Sequence, residues 1–96
     1  MVKNEIIKTL KSIQSEVYHK YKADIKGIFG SYARGEENED SDLDILVEFI
    51  ENATLFDLVG LGDFLEEKLH CKVDIASKRA VREEIKQYIN QDMVYI

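Results

Sequence analysis

Three aspartates and one glycine turn hold the chemistry that this sequence offers. Gly30-Ser31-Tyr32-Ala33-Arg34-Gly35 closes one apolar run and Asp42-Leu43-Asp44 opens another, with the ten residues Tyr32 to Ser41 between the Gly30-Ser31 pair and Asp42. Glycine at both ends of the first segment permits a sharp turn and a close approach of the backbone to a ligand. Backbone N–H groups at a helical turn after Gly30 can bind phosphate oxygens, aided by the Ser31 hydroxyl. Asp42 and Asp44 project from the same side of an expected strand, ~7 Å apart at a rise of ~3.3 Å per residue. Hard Mg²⁺ prefers carboxylate and phosphate oxygens, and two ions at such a pair can grip a triphosphate and activate an attacking hydroxyl. Neighbouring carboxylates repel, so without a cation the site is strained electrostatically.

A two-metal site normally takes a third carboxylate. Asp57 reads as a helix cap and Asp63 as a solvated helix residue, which leaves Asp74, on the polar side of an expected neighbouring strand. The plainer reading of Asp74 is a surface aspartate at a strand edge. Arg34 can reach a phosphate or simply pair with Glu36 or Glu37. Lys78, Arg79 and Arg82 come after the Asp74 strand and either neutralise a triphosphate or form a solvated helix face. Tyr32 can stack on a base or pack, and packing is the simpler role. His19 and His70 fall at expected helix ends, with no partner at metal-ligand spacing, and read as surface residues.

The commoner nucleotide and metal motifs do not fit. Gly30 to Gly35 has the glycine spacing of a P-loop, but Glu36-Glu37 stand where lysine and a hydroxyl residue are needed. Gly27, Gly30 and Gly35 miss the dinucleotide-binding spacing. Asp40, Asp42, Asp44 and Glu51 superficially suggest a calcium loop, yet Ile45 occupies its obligatory glycine position.

Periodicity supplies the elements that position these residues. Ile6, Leu10, Ile13, Val17 and Tyr21 recur at helical spacing, which predicts an amphipathic helix over about residues 3–22, capped by Asn4. A short strand, Ile25 to Phe29, ends at Gly30, and Ser31 to Arg34 can form one helical turn. Glu36 to Ser41 is an acidic surface loop. Leu43, Ile45, Val47 and Phe49 then alternate with Asp42, Asp44, Leu46 and Glu48, the period of a strand with one fully apolar face. Thr54-Leu-Phe-Asp57 resembles a capping box, followed by an apolar face from Leu55 through Leu69. Gly60 and Gly62 weaken that helix and permit close contact with a neighbour. Cys71, Val73 and Ile75 predict a third strand, Val81, Ile85, Tyr88 and Ile89 a helix over about 78–91, and Met93 to Ile96 a short apolar edge strand packed on this domain or on a partner.

The resulting order, α-β-α(short)-β-α-β-α, predicts an α/β (α+β) fold: a small mixed β-sheet with flanking helices in one domain over residues 1–96. A crossover through the Thr54 helix makes the second and third strands parallel neighbours. The 96 residues carry 13 basic and 19 acidic side chains, a net charge of −6. That field repels nucleic acid, so no direct nucleic acid contact is expected. A single cysteine, Cys71, excludes an internal disulfide and suggests a reducing compartment. No apolar leader and no run approaching ~20 apolar residues is present, so a cytoplasmic protein without a membrane role is expected.

Gly30-Ser31-Tyr32-Ala33-Arg34-Gly35 together with Ser41-Asp42-Leu43-Asp44-Ile45 resembles the signature of the DNA polymerase β-type nucleotidyltransferase superfamily. More narrowly, the chain resembles the minimal nucleotidyltransferases, the antitoxin halves of HEPN/MNT toxin–antitoxin pairs. The likeness spans roughly residues 3–96, with its specific motifs confined to residues 30–44 and Asp74. It implies a nucleotidyltransferase fold, Mg²⁺ (two ions), ATP, a HEPN-type toxin partner, and transfer of AMP to a hydroxyl on that partner with release of pyrophosphate. By the same resemblance Gly30, Ser31 and Arg34 bind nucleotide, Asp42 and Asp44 ligate metal, and Asp74 joins them and helps deprotonate the acceptor. A second expectation stands beside it: an acidic, non-catalytic antitoxin that masks a basic ribonuclease by contact alone. Small-molecule adenylylation fits less well, since no substrate-binding domain is visible.

Overall fold

The computed structural model describes residues 2–96. Its elements run α1 (Lys3–Tyr21), β1 (Ala23–Phe29), α2 (Gly30–Arg34), β2 (Leu43–Phe49), α3 (Leu55–Leu69), β3 (Val73–Ser77), α4 (Glu83–Asp92) and β4 (Val94–Tyr95). The four strands form one mixed sheet in the order β3-β2-β1-β4. β1 pairs antiparallel with β2 and with β4, while β2 and β3 are parallel, as the helical crossover through α3 requires.

One face of the sheet is closed by α1 and α3. Ile6, Leu10 and Val17 of α1 and Leu61, Leu65 and Leu69 of α3 are fully buried against Ile28, Leu43, Ile45 and Val47. Burying each such side chain contributes about 1.5–3 kcal/mol, so this layer fixes where β2 lies. Gly60 brings the two helices together: a Cβ there would press on Tyr21 Cε1 at 3.0 Å. The other face carries α4, whose one buried residue is Ile89, and Leu46. Because side chains alternate along a strand, Asp44, Leu46 and Glu48 share that second face.

β1 contains an irregularity that the apolar pattern does not announce. Its pairing with β2 shifts register between Ile25 and Gly27, which makes Lys26 an extra residue. A bulge of this kind reverses the side-chain phase of the rest of the strand, so Ile28 turns into the core and Phe29 stands opposite Asp44. The Gln14 amide of α1 supports the bulged segment. Its Nε2 donates to the Ile25 carbonyl at 2.8 Å, and its Oε1 accepts from the Ile25 N–H at 2.9 Å.

Several expectations need correction. Asn4 lies inside α1 and Val2 is the N-cap, with no side-chain cap, because the helix already begins at Lys3. β1 starts at Ala23, two residues earlier than Ile25. The ladder of β2 begins at Leu43, so Asp42 precedes it. α4 starts at Glu83 rather than near residue 78, since Lys78–Ala80 turn at the end of β3. The apolar stripe of α3 is wider than the surface it packs on: Leu55, Phe56 and Val59 remain exposed. Its capping box is present, with Asp57 Oδ2 accepting from the Thr54 N–H at 2.8 Å. The tail adds to the sheet edge through Gly27↔Tyr95 and Ile28↔Val94. No described helix is long and apolar enough to cross a membrane.

The Gln14 contact yields a stability prediction. Gln14→Leu leaves a donor and an acceptor of Ile25 unpaired in a part-buried place, a cost of about 1–3 kcal/mol. In a domain of this size each kcal/mol lowers Tm by about 4–8 °C. Thermal unfolding monitored by circular dichroism should show that drop, and an unchanged Tm would mean that water replaces the amide freely.

Candidate active site

Strand pairing assembles the centre of the site. Asp44 stands opposite Phe29 in β1 on one side and beside Asp74 in β3 on the other. Directly paired residues lie on one face with neighbouring side chains, so the two carboxylates are adjacent although thirty positions separate them in the chain. Gly30 closes the arrangement from above. It adopts φ +76°, and a Cβ built there would collide with Oδ2 of Asp44. Glycine is therefore required twice over at this position, for its backbone conformation and for the space that the carboxylate fills.

The electrostatics result from that placement. Asp44 is half-buried, and its carboxyl is pushed up to about 6 by burial first, then by the negative charges of Asp74 and Asp42, with Arg34 opposing weakly. No cationic side chain forms a salt bridge with it among the described residues. Asp42 and Asp74 are exposed at the rim. Among the described residues no three His, Cys, Asp or Glu side chains, Asp42, Asp44 and Asp74 included, are grouped so as to hold a metal ion by themselves. Mg²⁺ rarely uses such a cage: it keeps water and takes one or two carboxylates together with substrate phosphates. The donor set of Asp44 with Asp74, and Asp42 at the mouth, fits that coordination in the chemistry of its oxygens.

The turn residues open a short helix. Gly30 and Ser31 are the first two residues of α2, where backbone N–H groups have no partner within the helix. Ser31 is half-buried and therefore reachable. Arg34 Nε donates to Glu36 at 3.0 Å and its Nη1 to Asp92 of α4 at 2.8 Å. Both are exposed pairs worth at most about 1 kcal/mol, so a phosphate can compete for the guanidinium at little cost. The Asp92 contact has no signal in the sequence, because it joins residues 58 positions apart.

Other sequence candidates are separated from the centre. Lys78, whose N–H donates to the Val47 carbonyl, leaves the sheet at the opposite end of β3 from Asp74. Four residues of strand put it ~13 Å away, and Arg79 and Arg82 lie beyond it in the chain. Tyr32 is buried, and burial and the adjacent Cys71 thiol raise its phenol, so its role is packing. His19 and His70 are exposed, as expected. A cleft of about 540 Å³ opens beside the acidic loop, lined by Tyr32, Asp40, Ser41, His70, Cys71 and Lys72.

Two predictions come from Asp44. With the folded carboxyl near 6 and its ordinary value at 3.8, the ionised form is disfavoured on folding. The stability it costs is absent below about pH 3.8 and complete above about pH 6. Solvent screens part of it, leaving about 1–2 kcal/mol. In the absence of divalent ions, Asp44→Asn should thus raise Tm at pH 8 and lose that advantage at pH 4; an equal gain at both values would refute the assignment. Gly30→Ala should lower stability by about 1–3 kcal/mol through overpacking against Asp44, again read as a fall in Tm.

Known proteins resemble this chain in sequence and in fold. A chain of Methanocaldococcus jannaschii assigned as protein adenylyltransferase MJ0126 is 38% identical over 94 residues, covering 97% of this chain and 96% of its own length. A solved structure assigned as a minimal nucleotidyltransferase superimposes with a TM-score of 0.77 at 34% identity, covering 100% of this chain and 97% of the other. A toxin–antitoxin complex with AMP-PNP shares the fold, with a TM-score of 0.70 at 24% identity over 99% of this chain and 72% of that one. Residues 4–96 match the nucleotidyltransferase domain, and the chain belongs to that family.

Proposed function

We propose that this nucleotidyltransferase moves AMP from ATP to a hydroxyl on a partner protein, and that the partner is a HEPN-type toxin whose antitoxin it is. The observation that carries the reading is the packing of Asp44 between Gly30 and Asp74. It sets the first backbone N–H groups of α2 beside two adjacent carboxylates, and among the described residues no cationic side chain forms a salt bridge with Asp44. The protein adenylyltransferase assignment of its relative supports the adenylyl donor, and the toxin–antitoxin complex of the same fold supports a protein partner.

The residues divide the chemistry among them. Gly30 and Ser31 N–H groups and the Ser31 hydroxyl hold phosphate oxygens, and Arg34 exchanges Asp92 and Glu36 for a further one. Asp42, Asp44 and Asp74 would hold Mg²⁺, which when bound screens the triphosphate charge and lowers the pKa of an acceptor hydroxyl. Asp74, exposed at the rim, accepts the hydroxyl proton. The acceptor oxygen then bonds to the α-phosphorus as the bond to the bridging oxygen breaks, and pyrophosphate leaves with that electron pair.

Incubation with α-labelled ATP, Mg²⁺ and the product of the adjacent gene tests this. Label should appear on the partner, and Asp42→Asn with Asp44→Asn should lower transfer by at least about 10³-fold, the scale of removing principal charge-stabilising groups. Transfer undiminished in the double variant would end the proposal.

A second reading keeps one observation in its favour. Leu55, Phe56 and Val59 expose an apolar patch at the start of α3, at 76%, 89% and 62% accessibility. A partner could be masked through that patch without chemistry. Full neutralisation of the partner in cells by the Asp42/Asp44 double variant would select it.

A further inference from the structure

The second face of the sheet holds a cleft of about 470 Å³ that the reaction centre does not use. Its floor is apolar: Leu46 of β2 and Ile89 of α4 are 8% and 6% exposed, with Val81 and Tyr95 at its sides. Its rim is formed by Lys26, Lys78 and Lys86, and among the described residues no acidic side chain lines it. Three ammonium groups gather around this one depression, two of them already facing carboxylates: Lys26 those of Asp24 and Glu48, and Lys86 that of Glu83.

The three lysines are not equivalent. Lys26 is already held by Asp24 at 2.7 Å and Glu48 at 3.5 Å. Lys86 pairs with the exposed Glu83 at 3.0 Å, a contact worth at most about 1 kcal/mol. Lys78 has no salt-bridge partner among the described residues. The charge open to a ligand therefore comes from Lys78 and Lys86. Leu46 lies two residues beyond Asp44 on the same face of β2, ~7 Å along the strand. A bound segment would run from this cleft directly to the carboxylates.

We propose that this cleft receives an acidic, partly apolar segment of the acceptor protein, adjacent to the hydroxyl that takes AMP. The inference rests on the adenylyl-transfer reading and adds what selects the acceptor. Apolar side chains of the segment cover Leu46 and Ile89, and its carboxylates meet Lys78 and Lys86. The nucleotide's phosphates are claimed elsewhere, by Gly30 and Ser31 on the far side of Asp44. An acidic partner segment also explains a basic rim on a protein that otherwise repels acids, because at physiological salt the Debye length of ~8 Å lets local charge prevail over the total.

The test is a binding titration by amide chemical shifts with two capped peptides, acetyl-Glu-Leu-Tyr-Glu-Leu-amide and its counterpart with lysine at both glutamate positions. The acidic peptide should bind more tightly and shift Leu46, Lys78, Val81 and Ile89. The double variant Lys78→Glu with Lys86→Glu should weaken it at least ten-fold. The same charge change on the exposed face of α1, Lys8→Glu with Lys11→Glu, should leave it within two-fold. A non-hydrolysable ATP analogue with Mg²⁺ should bind wild type and the cleft variant equally. Preference for the basic peptide, equal weakening by the α1 control, or loss of the ATP analogue in the cleft variant overturns the proposal, the last result giving the cleft to the nucleotide. Because binding is read without turnover, the two readings fail separately. Peptide binding with no AMP transfer to the partner sinks the transfer reading alone, and transfer indifferent to Lys78 and Lys86 sinks the cleft alone.

Discussion

A carboxylate held half-buried beside a second carboxylate is the constraint that the rest of this fold serves. Asp44 sits in an inner strand of the sheet, pressed by Gly30 and flanked by Asp74. Its proton affinity is raised to about 6 chiefly because it is withdrawn from water. A sheet that merely had to be stable would place an apolar residue there. The core layer of α1 and α3 compensates, since more than ten fully or nearly fully buried side chains on the opposite face fix β2 in register regardless of what its other face carries.

The geometry of the site depends on small backbone devices more than on side-chain bulk. The bulge at Lys26 sets the phase that brings Phe29 opposite Asp44, and Gln14 holds the bulged segment from α1. Gly30 then turns the chain with φ +76° into α2, so the first N–H groups of that helix start immediately beside the carboxylate. Each device has a distinct energetic role. The bulge costs a ladder position, Gln14 satisfies the polar groups of Ile25, and the missing Cβ leaves room for Oδ2.

The second face of the sheet is only partly covered. α4 reaches it through Ile89 and is tied at its far end by Asp92 to Arg34. That helix thus borders both Arg34 of α2 and the lysine-rimmed cleft. Exposed ion pairs contribute little to stability, so the contact between Arg34 and Asp92 adds at most about 1 kcal/mol.

Much of this was legible from residue order alone. Apolar periods of 3.6 and 2 located α1, β2, α3 and β3, and Thr54 with Asp57 marked the start of α3, because burial and capping leave local patterns. The glycine turn and the Asp-x-Asp spacing pointed to the family for the same reason: a tight turn and a strand opening on two carboxylates need particular residue types at short range. What residue order left open was convergence and separation. Whether Asp74 lies beside Asp44, whether Lys78, Arg79 and Arg82 lie near or far from it, and that Asp92 meets Arg34 are all matters of strand order, register and helix direction. The bulge was invisible because a single extra residue in β1 changes no composition. The apolar face of α3 is buried only in part, with Leu55, Phe56 and Val59 left exposed, since a helix packs only the arc that its neighbours reach. Local chemistry dictated which elements form and what they could bind; long-range pairing alone decided which of their side chains share one site.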